Sequence, residues 1–191
     1  MNNTYFILRH GETPYQLKEE KIIYPWPEPS PILLTEKGKR QIENAAQKLK
    51  SKKIDLIFSS DISRTRETAK IISKEIKVKP TFDIRLREIN KGIYNGGPIK
   101  EYKKAFSDQK QRFFKRPLNG ESRQDCKKRM MNFLEEIDKK YRNNNILIIS
   151  HGTPLYLLEG AVKGLKDEKL LGRKKEFSLE VGEFKELEYE Q

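Results

Sequence analysis

Residues 4–13 read TYFILRHGET. Thr4 to Leu8 form a β-branched and aromatic run of the kind that fills a buried strand, and Arg9, His10 and Gly11 follow without a break. A chain that only had to leave a sheet has no use for an arginine and a histidine side by side there. A second stretch, NILIISHG at 145–152, has the same arrangement of an apolar run, a histidine and a glycine. His10 and His151 are the two histidines of the sequence.

Continuous apolar strands, as opposed to alternating ones, belong to sheets covered on both faces. The segments between them support that reading. Thr35 to about Lys50 is expected to be a helix, with Thr35 as its cap and Ile42, Ala45, Ala46 and Leu49 on one face. IDLIFSS at 54–60 reads as a second buried strand, and Asp61 to about Ile76 as a helix. VKPTFD at 78–83 is a short strand that Pro80 assigns to a sheet edge. Cys126, Met130, Phe133, Leu134, Ile137 and Tyr141 mark a long amphipathic helix, and another helix is expected from Pro154. The tail FSLEVGEFKELEY, 177–189, alternates like a hairpin or paired edge strands. The fold class is therefore α/β, a three-layer α/β/α sandwich around a mostly parallel central sheet.

The 191 residues fit one domain, 1–191, with no internal repeat and no Gly/Ser linker. YPWPEPSP at 24–31 reads as a rigid surface loop. A charged fraction of 36% and a net charge of +12 suit anionic ligands of any kind. The lysines are spread along the chain and not gathered in a stripe, which argues against a nucleic-acid partner. Cys126 is the single cysteine, so no intrachain disulfide forms, and its helical setting suits a buried thiol. The N-terminus lacks the pattern of a signal peptide and no run is long enough to span a bilayer, so a cytoplasmic location is expected.

In parallel sheets ligands bind at the carboxyl ends of the strands. His10 and His151 should therefore face one crevice, joined by Arg9 and by Arg64 from the first turn of the helix after FSSD. Two guanidiniums match the oxygens of a tetrahedral dianion, and an imidazole among positive charges stays neutral enough to attack phosphorus. No metal is required, because the arginines supply the positive charge.

The blocks LRHGET, SSDISRTRETA, LREINKGIYNG, GES at 120–122 and ISHGTP, in this order, resemble the histidine phosphatase superfamily. The likeness is to the branch that holds cofactor-dependent phosphoglycerate mutases and small broad-specificity or sugar phosphatases. It implies a phosphoglycerate mutase-like fold, His10 as the nucleophile that becomes a phosphohistidine, and Arg9, Arg64 and His151 as the phosphate pocket. Glu88 matches the acid that protonates the leaving oxygen, and Gly152 stands where the other branch carries an aspartate. Gln16 and Thr153 are candidate substrate contacts. Arg66 is expected on the surface, and Glu12 is expected to brace the loop around His10.

Gln16 stands where the mutases have an asparagine, the glycine before Trp26 is missing, and the chain is shorter than those mutases. A shortened lid favours hydrolysis of the phosphohistidine. The implied activity is metal-independent hydrolysis of small phosphorylated substrates without a cofactor. The alternatives are phosphotransfer of the mutase type and an inactive relative that binds a phosphorylated ligand. A basic lid at about 97–118 holds Lys103, Lys104 and Lys115 and adjacent Phe113 and Phe114. It is expected either to grip a second negative group or ring of the substrate, or to be a solvated helix with a phenylalanine in the core.

Overall fold

The computed structural model describes residues 1–189, apart from the side chains at positions 172, 174 and 175. Five strands form one sheet: β1 (Thr4–Arg9), β2 (Leu56–Ser59), β3 (Pro80–Phe82), β4 (Asn145–Ser150) and β5 (Phe184–Glu186). Their order is β3-β2-β4-β1-β5, with β5 antiparallel to β1 and the other pairings parallel. Pro80 does lie on an edge strand, where its missing N–H costs the ladder nothing. The tail supplies one edge strand and no hairpin, because the alternating residues before Phe184 turn over the end of β1 and leave only three residues to pair.

Side chains of successive strand residues point to opposite faces, so each strand serves two cores. Tyr5, Ile7, Phe58, Ile146 and Ile148 face α5 (Arg123–Lys140) and α6 (Gly152–Val162). Phe6, Leu8, Ile57, Leu147 and Ile149 face α1 (Glu36–Lys50) and α2 (Ser63–Ile76). That is the sandwich expected from unbroken apolar strands. On α1, Ile42, Ala45, Ala46 and Leu49 are buried, and burial of each larger side chain contributes about 1.5–3 kcal/mol. Thr35 caps this helix by accepting from Gly38 N at 2.9 Å. Ser122 and Asp125 close α5 with a reciprocal capping box.

The middle of the chain is less regular. Two 3-10 turns, Ile84–Leu86 and Gly92–Tyr94, precede the short helices α3 (Ile99–Lys104) and α4 (Gln109–Phe114). Ile23, Tyr102 and Phe106 form a small separate core there. Two further short helices, α7 (Asp167–Gly172) and α8 (Lys174–Phe177), follow α6. Among the described residues no helix is long and apolar enough to cross a membrane.

Candidate active site

The register of the central strands builds the site. Arg9 pairs with Ser150 at the ends of β1 and β4, so the next residues, His10 and His151, emerge side by side. Their ring centroids are 5.3 Å apart. Gly11 makes room for the turn: a Cβ there would lie 2.6 Å from the Gly38 carbonyl oxygen, and one on Gly38 would lie 2.1 Å from the Glu12 oxygen. The start of α1 can therefore rest directly on the loop after His10. Glu12 braces that loop as expected, accepting from Thr35 Oγ1 at 2.9 Å and from Lys37 Nζ at 3.0 Å.

Both imidazoles are buried. His10 Nδ1 lies 2.8 Å from its acceptor, the Gly11 carbonyl, so Nδ1 carries the proton and Nε2 keeps its lone pair. Burial first, then Arg64 and Arg9, hold the His10 pKa well below the usual histidine value, against the opposing pull of the Gly11 carbonyl. His151 is held low by burial, then by Arg64 and His10. Its Nε2 is 3.0 Å from Ser60 Oγ, and its Nδ1 is buried with no hydrogen-bond partner.

The arginines converge on the same point. Arg9 is anchored by one nitrogen, Nη1, to the Leu179 carbonyl at 2.8 Å, while its Nε is buried and unpartnered. The tail holds it from behind: Gly182 N donates to the carbonyls of Arg9 and His10. Arg64, 1% exposed, stacks 3.8 Å from the Tyr24 ring and also has an unpartnered Nε. Burial lowers its pKa, partly offset by Tyr24, Glu88 and Glu28, and it remains a cation. A Cβ on Gly152 would sit 3.3 Å from Arg9 Cζ, so this position leaves little room for a larger residue. Arg66 points away, with Nε on the Asp61 carbonyl at the surface.

Beside this floor opens a cavity of about 420 Å³, which Arg64 joins to the floor, while His10, His151 and Arg9 lie outside the cavity lining. Arg64 and Glu88 both line it, and so do Lys21, Lys91, Tyr24 and Trp26. Glu88 Oε1 accepts from Ile89 N at 2.8 Å. The segment that carries it is tied down twice. Ser150 Oγ donates to the Leu86 carbonyl at 2.6 Å, and Arg87 forks onto Asp61 with two 2.6 Å bonds. Asp61, the aspartate of the SSD block, thus serves as a clamp. Lys91 has no ion-pair partner among the described residues. Burial pulls its pKa down, and Glu88 and Cys126 push back.

Gln16 does not line the cavity. It accepts from Thr13 N at 2.7 Å and donates through Nε2 to Tyr24 Oη at 2.9 Å, which makes it a support for Tyr24. Thr153 lies half-buried in the first turn of α6, also outside the cavity lining. The basic segment 97–118 takes the form of the solvated helix with a phenylalanine in the core, the second of its two expected forms. Lys103, Lys104 and Lys115 are exposed, Lys104 pairs with Glu101, and Phe113 is fully buried where α4 packs on α5 and α7. Helical periodicity sends the lysines to solvent and the phenylalanine to the core, so only Ile99 of α3 and α4 reaches the cavity. The Pro-rich stretch is more than surface, since Tyr24, Pro25, Trp26 and Glu28 form a wall of the site. Among the described residues no cluster of three or more His, Cys, Asp or Glu is arranged to hold a metal ion. Cys126 is buried and its thiol pKa is pushed up by that burial, the state of a packing residue.

Residues 5–190 match the model of the histidine phosphatase superfamily, branch 1. Among curated proteins, "Phosphoserine phosphatase 1" of Hydrogenobacter thermophilus is 29% identical over 137 residues, which take in 69% of this chain and 65% of that protein. "Probable phosphoglycerate mutase GpmB" of Yersinia enterocolitica is 31% identical over 84% of this chain and 74% of its own length. Among solved structures, mycobacterial glucosyl-3-phosphoglycerate phosphatase in complex with VO3 has a TM-score of 0.80 at 21% identity, covering 96% of this chain and 90% of that one. The alpha-ribazole phosphatase of Shigella flexneri has a TM-score of 0.79 at 22% identity, covering 98% and 91%. With its strand-end histidines, the buried Arg64 beside Arg9 and a family match over nearly its whole length, the chain belongs to the histidine phosphatase superfamily, branch 1, among relatives named as a phosphatase and a probable phosphoglycerate mutase.

Proposed function

We propose that this protein is a phosphatase that hydrolyses small phosphomonoesters through a phosphohistidine on His10. The observation that carries the reading is the His10 hydrogen bond. With Nδ1 donating to the Gly11 carbonyl at 2.8 Å, the nucleophilic lone pair stands on Nε2, and burial between two arginines keeps the ring neutral. Nε2 attacks phosphorus in line and the bond to the leaving oxygen breaks. Arg64 Nε and Arg9 Nε, both without a protein partner, donate to the equatorial oxygens. Ser60 donates to His151 Nε2, which leaves Nδ1–H of His151 to donate as well. Glu88 gives its proton to the departing oxygen, which would otherwise leave as an alkoxide. In the second step a water attacks the phosphohistidine, and the Glu88 carboxylate takes back a proton.

The guanidiniums supply the charge that a divalent cation supplies in other phosphoryl-transfer sites, so activity is expected without metal and without a cofactor. The whole chain acts as one domain. A buried, unreactive Cys126 is compatible with work in a reducing cytoplasm. Hydrolysis is favoured over mutase-type transfer because α3 and α4 are six residues each and α4 packs on α5 and α7, leaving little chain to shelter the phosphohistidine from water. Lys91 and Lys21 offer the distal end of the substrate a positive contact. The test is phosphate release from an aryl phosphate in the presence of a chelator, with His10→Ala beside the wild type. Activity that survives chelation and disappears in the variant is the expected result; dependence on added Mg²⁺ or an active variant would overturn the mechanism.

A further inference from the structure

One carboxylate in the cavity wall has no part in this chemistry. Glu28, in the Pro-rich stretch, accepts from Arg64 Nη1 at 2.7 Å, and the two side chains are 9% and 1% exposed. The other cavity arginines are paired differently. Arg87 and Arg129 each fork onto a carboxylate through Nε and Nη2, on Asp61 and Glu121, and those pairs tie loops together. Arg64 gives Glu28 one nitrogen and keeps a buried, unpartnered Nε. Arg9 Nε and His151 Nδ1 are unpartnered in the same way. A planar carboxylate therefore meets a single donor of a set that suits a tetrahedral anion.

We propose that Glu28 is a tethered competitor for the phosphate subsite, a specificity-determining residue that admits dianionic phosphomonoesters and turns away singly charged ligands. The inference rests on the phosphatase reading of the pocket. An ion that recruits Arg64 Nη1 as well as the open Nε must displace a carboxylate held at high effective concentration by its own chain. Prolines at 25, 27, 29 and 31 restrict that stretch, and so keep the carboxylate from drifting away. A phosphate dianion carries two charges and three oxygens, and it also satisfies the donors that Glu28 leaves unpaired. A carboxylate or a phosphodiester offers one charge, no more than Glu28 already provides, and gains too little to expel it. The orientation of Arg64 survives the exchange because the Tyr24 ring supports its guanidinium at 3.8 Å.

Isothermal titration of the full chain with orthophosphate at pH 8, and separately with dimethyl phosphate, tests this. Glu28→Ala is expected to bind orthophosphate about tenfold more tightly than the wild type, the scale of one charge-assisted hydrogen bond, and to gain measurable affinity for dimethyl phosphate. Glu28→Gln keeps the shape and loses the charge. It is expected to fall between the two and carries the comparison if Glu28→Ala does not fold. Equal or weaker orthophosphate binding by the folded variants would overturn the inference alone. No orthophosphate binding by wild type or variant would overturn the pocket reading and the inference with it.

Discussion

The floor of the site and the walls beside it are built differently. On the floor, His10, His151, Arg9 and Ser60 stand at or one residue beyond the ends of adjacent strands, and Arg64 follows in the first turn of a helix. Strand register alone brings them together. The walls come from segments around Tyr24 to Glu28 and Arg87 to Asn95, joined to the rest by the Arg64–Glu28 and Arg87–Asp61 ion pairs between residues far apart in the chain. In the proposed mechanism the floor holds the groups that act on a phosphoryl group, which every phosphomonoester shares. The walls would meet whatever differs between one ester and the next. On that proposal chemistry and substrate choice rest on separate parts of the chain, and substitutions should separate them.

The largest separation is expected at Glu88, which hangs from the wall but in the proposed mechanism serves the floor. Glu88→Gln should lower kcat by about 10²–10⁴-fold for alkyl phosphates, whose leaving oxygen needs a proton. The loss for p-nitrophenyl phosphate should be much smaller, because its phenolate leaves unaided. Equal losses for both substrates would remove Glu88 from the acid role. Lys91→Met should raise KM about tenfold for phosphomonoesters that carry a second acidic group and leave an uncharged aryl ester nearly unaffected. A uniform rise across such a panel would move Lys91 from recognition to structure.

Stability gives a third contrast, confined to the floor. His10 and His151 have folded pKa values depressed below the unfolded value of about 6.5. Their neutral burial is harmless above that pH. As pH falls below it, the unfolded chain takes up protons that the folded state refuses, so stability drops by about 1.4 kcal/mol per pH unit for each histidine. Thermal melts between pH 7 and pH 5 should show this loss, and His151→Gln should flatten the slope. The smallest effect is expected outside both regions. The triple variant Lys103→Ala, Lys104→Ala, Lys115→Ala should leave KM for bisphosphorylated substrates unchanged, since these side chains face solvent; a clear rise would return them to the site.

The same division explains what the sequence could tell. Two apolar runs ending in His-Gly disclose the sheet, its covered faces and the meeting of His10 with His151, because period and register are local properties of the chain. The capping role of Thr35 and the edge position of Pro80 are equally local. The bracing of Arg9 by Leu179 and Gly182 is not, since it joins residues about 170 positions apart. Nor is the Asp61–Arg87 clamp, which joins the end of one strand segment to a turn 26 positions on. Glu28 sits amid prolines that suggest a surface loop, and Lys91 is one of many lysines, so neither carries a mark of its place in the cavity. The basic segment left two readings open in sequence for a related reason. Charge density in sequence does not say which way a helix turns its charges, and on α3 and α4 packing of Tyr102 and Phe113 turned them outward.

The proposed mechanism stands or falls on the transfer of the phosphoryl group to one particular nitrogen. Rapid quenching of the wild type with substrate at alkaline pH, followed by ³¹P NMR and peptide mass spectrometry, reads that nitrogen directly. A phosphoryl group is expected on Nε2 of His10, absent from His10→Ala. Phosphate on His151, on Nδ1 of His10, or on no residue during turnover would contradict that mechanism.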